Sequence, residues 1–347
     1  MSPDREHPTT PAAPTPAATG PTSAAIAPTS AATGPASAMA GPASAVTGPA
    51  SAVTVTTMAA FGSEAAPYGI ATGPDGALWV TLVGGGAIAR VTPEGRARTF
   101  ALDAAGCGPT VITPGPDGAL WFTRTKDHRI GRITVDGQTE SFALPTPECG
   151  PYGIATGADG ALWFTETSAH RIGRITTEGE VTEFPLPVSG CFPSALVAGP
   201  DGALWCTLNQ ADAVGRIALD GSVTLYELPT KGAAPVGIAA GTDGELWFVE
   251  IGAGQLGRIS TDGCIDEFPL PDRESRPHAV TVAPDGTCWI TEWAANRVAA
   301  RVPSGHIVEH PLPTPGSEPH GLALGPDGYL YVALELGEVV RISTAMP

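Results

Sequence analysis

The sequence is poor in positive charge. Of its 347 residues only 18 are Lys or Arg, against 35 Asp and Glu, which gives a formal charge of −17. A nucleic-acid binder needs a basic face to neutralise phosphates, so that class is excluded, as is a partner chosen for negative charge. No run of 18 apolar residues is present, so no transmembrane helix and no membrane partner is expected. The opening stretch MSPDREHPTTPAAP is not followed by an apolar core of the kind a secretory signal carries. A cytoplasmic location is therefore expected. Six cysteines are too few for a disulfide framework in a chain of this size. A 3.6-residue apolar period is also missing, which argues against a helical repeat. The hydrophobic content, 42%, is still enough for a globular core.

Residues 1–51 are almost entirely Pro, Ala, Thr, Ser and Gly, with GPASAVT at Gly41–Thr47 and again at Gly48–Thr54. So few large side chains cannot offset the entropy of ordering, and a disordered tail is expected here. Residues 52–347 form the folded domain. VTVTTMAAF, from Val53, is β-branched and apolar enough to be a strand.

The folded region is a repeat. Trp79, Trp121, Trp163, Trp205, Trp247, Trp289 and Tyr331 follow one another at intervals of 42 residues, without insertion or deletion. A fixed period of this length marks stacked supersecondary units. In each unit four short alternating segments are separated by turn signals, and an Asp-Gly pair such as Asp159-Gly160 joins the first two. Four antiparallel strands in each of seven units predict an all-β, seven-bladed β-propeller. The last unit stops after a third strand, GEVVRIS, and the strand near Val53–Phe61 is free to complete it. That exchange closes the ring and removes both open edges.

In such a ring the first strand of each blade lies nearest the axis. The residues after the seven repeat prolines, Tyr68, Thr110, Tyr152, Ser194, Val236, His278 and His320, then circle the channel mouth. Beside them the ends of the second strands place Leu82, Arg124, Glu166, Leu208, Glu250, Glu292 and Leu334, with Glu335 one residue further on. A two-residue Asp327-Gly328 turn would set His320 opposite Glu335, with β-carbons roughly 5 Å apart. One sector of the mouth is thus expected to hold His278 and His320 with Glu250, Glu292, Glu318 and Glu335, and another Tyr68 and Tyr152. Two carboxylates beside an imidazole suit a hard divalent cation such as Mg²⁺, and Glu318 and Glu335 flanking His320 make the best ligand pair. A cation there stabilises a developing oxyanion while the imidazole removes a proton. A lyase or hydrolase site fits; these residues choose no substrate.

The repeat with RIGRIT and TEFPLP, and above all APYG at Ala66–Gly69, RPHA at Arg276–Ala279, EPHG at Glu318–Gly321 and ALE at Ala333–Glu335, resembles the virginiamycin B lyase family. The resemblance spans residues 53–347 in register. It implies a monomeric seven-bladed propeller that needs Mg²⁺ and opens the small cyclic depsipeptides called type B streptogramins by elimination at the threonyl ester. It makes His320 the catalytic acid or base and Glu318 and Glu335 the Mg²⁺ ligands. His278, Tyr68 and Tyr152 become substrate contacts. This chain departs from the family pattern in having Tyr331 where Trp is usual, in its final strand, and in its long tail.

Simpler readings stand beside these. The seven aromatics are expected to be wedges between blades, and Glu166, Glu250 and Glu292 the default residue of their position. His128 and His170 fall in a polar turn, and Cys107, Cys149 and Cys191 repeat by duplication. Two other functions remain open: a non-enzymatic propeller that binds a ligand or protein on its face, and a metal-dependent propeller lactonase.

Overall fold

The computed structural model describes residues 53–343. The tail assigned to residues 1–51 lies outside the described residues. Twenty-eight strands, β1 (Val55–Ala60) to β28 (Glu338–Ile342), form seven four-stranded antiparallel sheets. Six sheets take their strands consecutively, beginning with β2 (Pro67–Thr72), β3 (Leu78–Leu82), β4 (Ala87–Val91) and β5 (Ala97–Ala101). The seventh pairs β26 (Pro319–Leu324), β27 (Leu330–Leu334) and β28 with β1, in the order β1-β28-β27-β26. The first strand of the described residues therefore closes the ring, as expected. Only two single-turn 3₁₀ segments interrupt the strands, and among the described residues no helix is long and apolar enough to cross a membrane.

Blades 1 to 4 and 7 are built by the same local chemistry, while in blade 5 the indole of Trp247 donates to Glu245 and in blade 6 that of Trp289 has no partner among the described residues. The repeat aromatic is buried between sheets, and Trp79, Trp121, Trp163 and Trp205 stack on the aromatic of their own outermost strand at 5.4–5.7 Å. The indole N–H of Trp79 donates to Asp75 Oδ1 at 3.0 Å, and the aspartate's other oxygen accepts from Arg90 at 2.6 Å. Tyr331 departs from tryptophan without breaking this device, because its hydroxyl donates to Asp327 at 2.7 Å. Threonine on the second strand ties neighbouring blades together: Thr123 Oγ1 donates to Tyr152 O and Thr291 Oγ1 to His320 O.

The Asp-Gly turns differ from the two-residue form. The ladder closes at Gly325 and Tyr329, and of the loop residues between them only Gly328 has positive φ (79°). This is a three-residue loop whose last residue is left-handed, the alternative hairpin in which a single glycine suffices. The register slips by one residue at the turn, to Leu324↔Leu330 and Leu322↔Val332. It slips again at a bulge, to Pro319↔Leu334. The same bulge recurs in all seven blades between the repeat proline and the third residue after it.

Candidate active site

The innermost strands of all seven blades line a central channel. At its mouth four of the residues after the repeat prolines converge. Tyr68 is the hub. Its hydroxyl lies 2.6 Å from that of Tyr152 and 3.2 Å from His278 Nε2, and its ring centroid is 4.4 Å from that of His320. His278 meets His320 edge-on at 4.7 Å. Blade 7 comes this close to blade 1 because residue 321 is glycine: a β-carbon there would lie 2.5 Å from Tyr68 O.

The two register slips decide what faces this cluster. The backbone N–H of Glu335 donates to Glu318 O at 3.1 Å, so Glu335 stands across from Glu318 and not from His320, as the two-residue turn would require. His320 falls in the bulge and reaches Glu335 through its side chain, with Nε2 2.6 Å from Oε2. The three residues do come together, by a different pairing.

The second ring of the mouth is displaced by the same slip. Glu166, Glu250 and Glu292 are fully buried and do not meet the histidines. Glu250 accepts from Gln255 at 2.7 Å and Glu292 from Arg297 at 2.9 Å, while both oxygens of Glu166 are without a hydrogen-bond partner. Burial, with Glu183 nearby, pushes Glu166 up to about 8, and burial raises Glu250 to about 7. The mouth is lined instead by the next residue of blades 2 to 7. In blades 2, 3 and 4 that residue clamps the following blade: Thr125 Oγ1 donates to Pro151 O, Thr167 Oγ1 to Pro193 O and Asn209 Nδ2 to Ala234 O. In blades 5, 6 and 7 the position holds Ile251, Trp293 and Glu335. Trp293, its ring centroid 6.5 Å from that of His320, was not singled out from the sequence. Counting one residue further along the second strand would have found it.

The electrostatics suit a neutral base. Burial depresses His320 to about 4, and burial with the neighbouring His320 depresses His278 to about 3. Both imidazoles are uncharged at neutral pH. Burial, then Tyr152 and Glu335, hold the Tyr68 hydroxyl well above the usual phenol range, so it stays a donor. The Glu318 carboxyl is raised, first by desolvation and then by Glu335. Two adjacent carboxylates, one of them 43% exposed, are oxygen donors open to water, which fits a cation that keeps several waters. Among the described residues no group of three or more His, Cys, Asp or Glu side chains has metal-ligand spacing. The cysteines are free thiols; those at 107, 149 and 191 are buried, and burial pushes Cys149 up to about 12. His128 and His170 sit at left-handed turn positions, where His128 Nδ1 accepts from Gly150 N.

The profile of the virginiamycin B lyase family matches residues 53–342. A solved streptogramin B lyase is 36% identical, with a TM-score of 0.82, over 84% of this chain and 97% of the other. A catalytically inactive histidine-to-alanine variant of virginiamycin B lyase from Staphylococcus aureus, solved with quinupristin, is also 36% identical. It covers 84% of this chain and 100% of its own, with a TM-score of 0.82. Hydrazine synthase from Kuenenia stuttgartiensis, at 20% identity and a TM-score of 0.56, shares the fold alone. No curated protein matches the sequence.

Proposed function

This chain belongs to the virginiamycin B lyase family, and from that premise we propose that it linearises type B streptogramin depsipeptides by elimination at the threonyl ester. Loss of the ring would inactivate the antibiotic and confer resistance. The observation that carries this reading is the convergence at the mouth of His320 with Tyr68 and His278, its Nε2 2.6 Å from Glu335 Oε2.

The chemistry asks for one base and no water. The His320 imidazole takes the proton from the α-carbon of the threonyl residue; its Nε2, 2.6 Å from Glu335 Oε2, is open to do so when that carboxylate leaves it to hold the cation. The electrons of that C–H bond form the α,β double bond, and the ester oxygen leaves the β-carbon as a carboxylate. Glu318 and Glu335 are the residues that would hold Mg²⁺, which when bound supplies positive charge for the carbonyl oxygen beside the α-carbon. Tyr68, kept protonated by its surroundings, donates a hydrogen bond at the same mouth. Tyr152 and His278 fix its hydroxyl. That alanine in place of a histidine inactivates the Staphylococcus aureus relative supports an imidazole as the working group.

Mass spectrometry of quinupristin after incubation with the full chain tests the reaction. A linear product of unchanged mass is the expected result, abolished by EDTA and restored by Mg²⁺. A gain of one water would make the protein a hydrolase of the lactonase type, and an intact ring would leave a binding propeller. Activity untouched by thorough chelation would remove the metal.

A further inference from the structure

The residue before each repeat proline is left-handed in all seven blades: Ala66, Gly108, Gly150, Phe192, Ala234, Arg276 and Glu318 have φ between 48° and 61°. The fold imposes this conformation, which disfavours any side chain, and more so ahead of a proline. Glycine at two of the positions avoids this cost, and alanine at two others adds the smallest side chain. Glu318 belongs to the site already described. Phe192 is the large apolar exception, and packing does not account for it, because 39% of it is exposed.

Phe192 borders a groove of about 390 Å³ that runs from the catalytic cluster across blades 2 to 5. Tyr68, Tyr152, Val236 and His278 line its inner side, and Phe192 and Ile251 complete the lining. In a chain with a formal charge of −17, the lining holds no Asp, Glu, Lys or Arg. Of its polar side chains, Thr125, Thr167 and Asn209 already donate to backbone carbonyls of neighbouring blades, and Ser168 and Ser194 add only two small hydroxyls. The surface left to a ligand is mainly aromatic and aliphatic.

We propose that Phe192 is a specificity-determining residue, forming with Ile251 and Val236 the wall that holds a neutral, apolar arm of the cyclic depsipeptide while its ester lies at His320. The arm is an aromatic or branched aliphatic side chain. A charged one would lose its hydration and find no counter-charge in the groove. This inference rests on the lyase reading and deepens it, since it selects among esters by a group remote from the bond that breaks.

The test is equilibrium binding of quinupristin to full-length His320→Ala protein, which holds the ligand without turning it over, compared with the same protein carrying Phe192→Ala as well. Alanine occupies this position in blades 1 and 5, so the second variant folds. The dissociation constant rises about ten-fold, the effect of losing one well-buried ring. Phe192→Leu restores most of the affinity, and Phe192→Gly, which relieves the backbone, does not. A dissociation constant within about two-fold of the parent overturns the inference. If the wild-type chain nevertheless linearises quinupristin, only the groove assignment falls. Absence of both turnover and binding removes the lyase reading and this inference with it.

Discussion

Blades 3 and 7 have nearly the same backbone and opposite uses for it. Blade 3 places Gly150, Tyr152, Glu166 and Thr167 where blade 7 places Glu318, His320, Leu334 and Glu335. Each blade has one glutamate at the end of its second strand, and the two lie one position apart along the repeat. Glu166 points between blades, fully buried, with neither oxygen hydrogen-bonded. Glu335 points to the mouth, half-exposed and bonded to His320. Since side chains in a strand alternate between faces, a shift of one residue separates a carboxyl that costs stability from one that can do chemistry.

The comparison breaks most readily at His320. Alanine there should lower the rate of ring opening at least about 100-fold, as for loss of a general base, with the far-ultraviolet spectrum unchanged. Near-normal turnover would take blade 7 out of the chemistry. Glu335→Thr gives blade 7 the mouth residue of blade 3. Turnover should fall about 10–100-fold and the Mg²⁺ needed for half-activity should rise; titration of activity with Mg²⁺ reads both.

Glu166→Leu makes the opposite exchange and gives blade 3 the leucine found in blades 1, 4 and 7. It should stabilise the protein by about 1–3 kcal/mol near pH 8. The pH dependence follows from the folded-state value of about 8 against an ordinary 4.5. Between these the native chain keeps a proton that the unfolded chain has released, so this residue's contribution is fully present below pH 4.5 and is lost as pH rises through 8. The melting-temperature advantage of the variant should therefore widen from pH 5 to pH 8; a constant gap would mean that Glu166 has found a partner. Thr167→Val removes one clamp between blades and should cost about 1 kcal/mol, a fall of a few degrees in melting temperature and a small change beside the others.

Much of the site was legible in the chain. His320, Glu318 and Glu335 stood out because blade 7 replaces the repeat's usual residues at recognisable offsets, and Tyr68, Tyr152 and His278 share the offset of His320. The pairing was not legible. Asp-Gly permits both a two-residue hairpin and a three-residue one with glycine last, and the choice moves every partner by one. The bulge after Pro319 then moves Glu335 again, opposite Glu318. That is why Glu250 and Glu292, read as mouth residues, prove to be interior, and why Trp293 escaped notice.

By itself the sequence determined the number of blades, the strands within each and the closure by a strand near Val53–Phe61, because these follow from a strict period and from turn chemistry, both local properties. Tertiary structure alone decided which face each glutamate occupies and that Tyr68 should touch Tyr152 and His278, 84 and 210 residues away. Contacts across the ring form only when all seven blades close on one axis. Their register is set by backbone angles at a few glycines and bulges, which the order of residues permits without dictating.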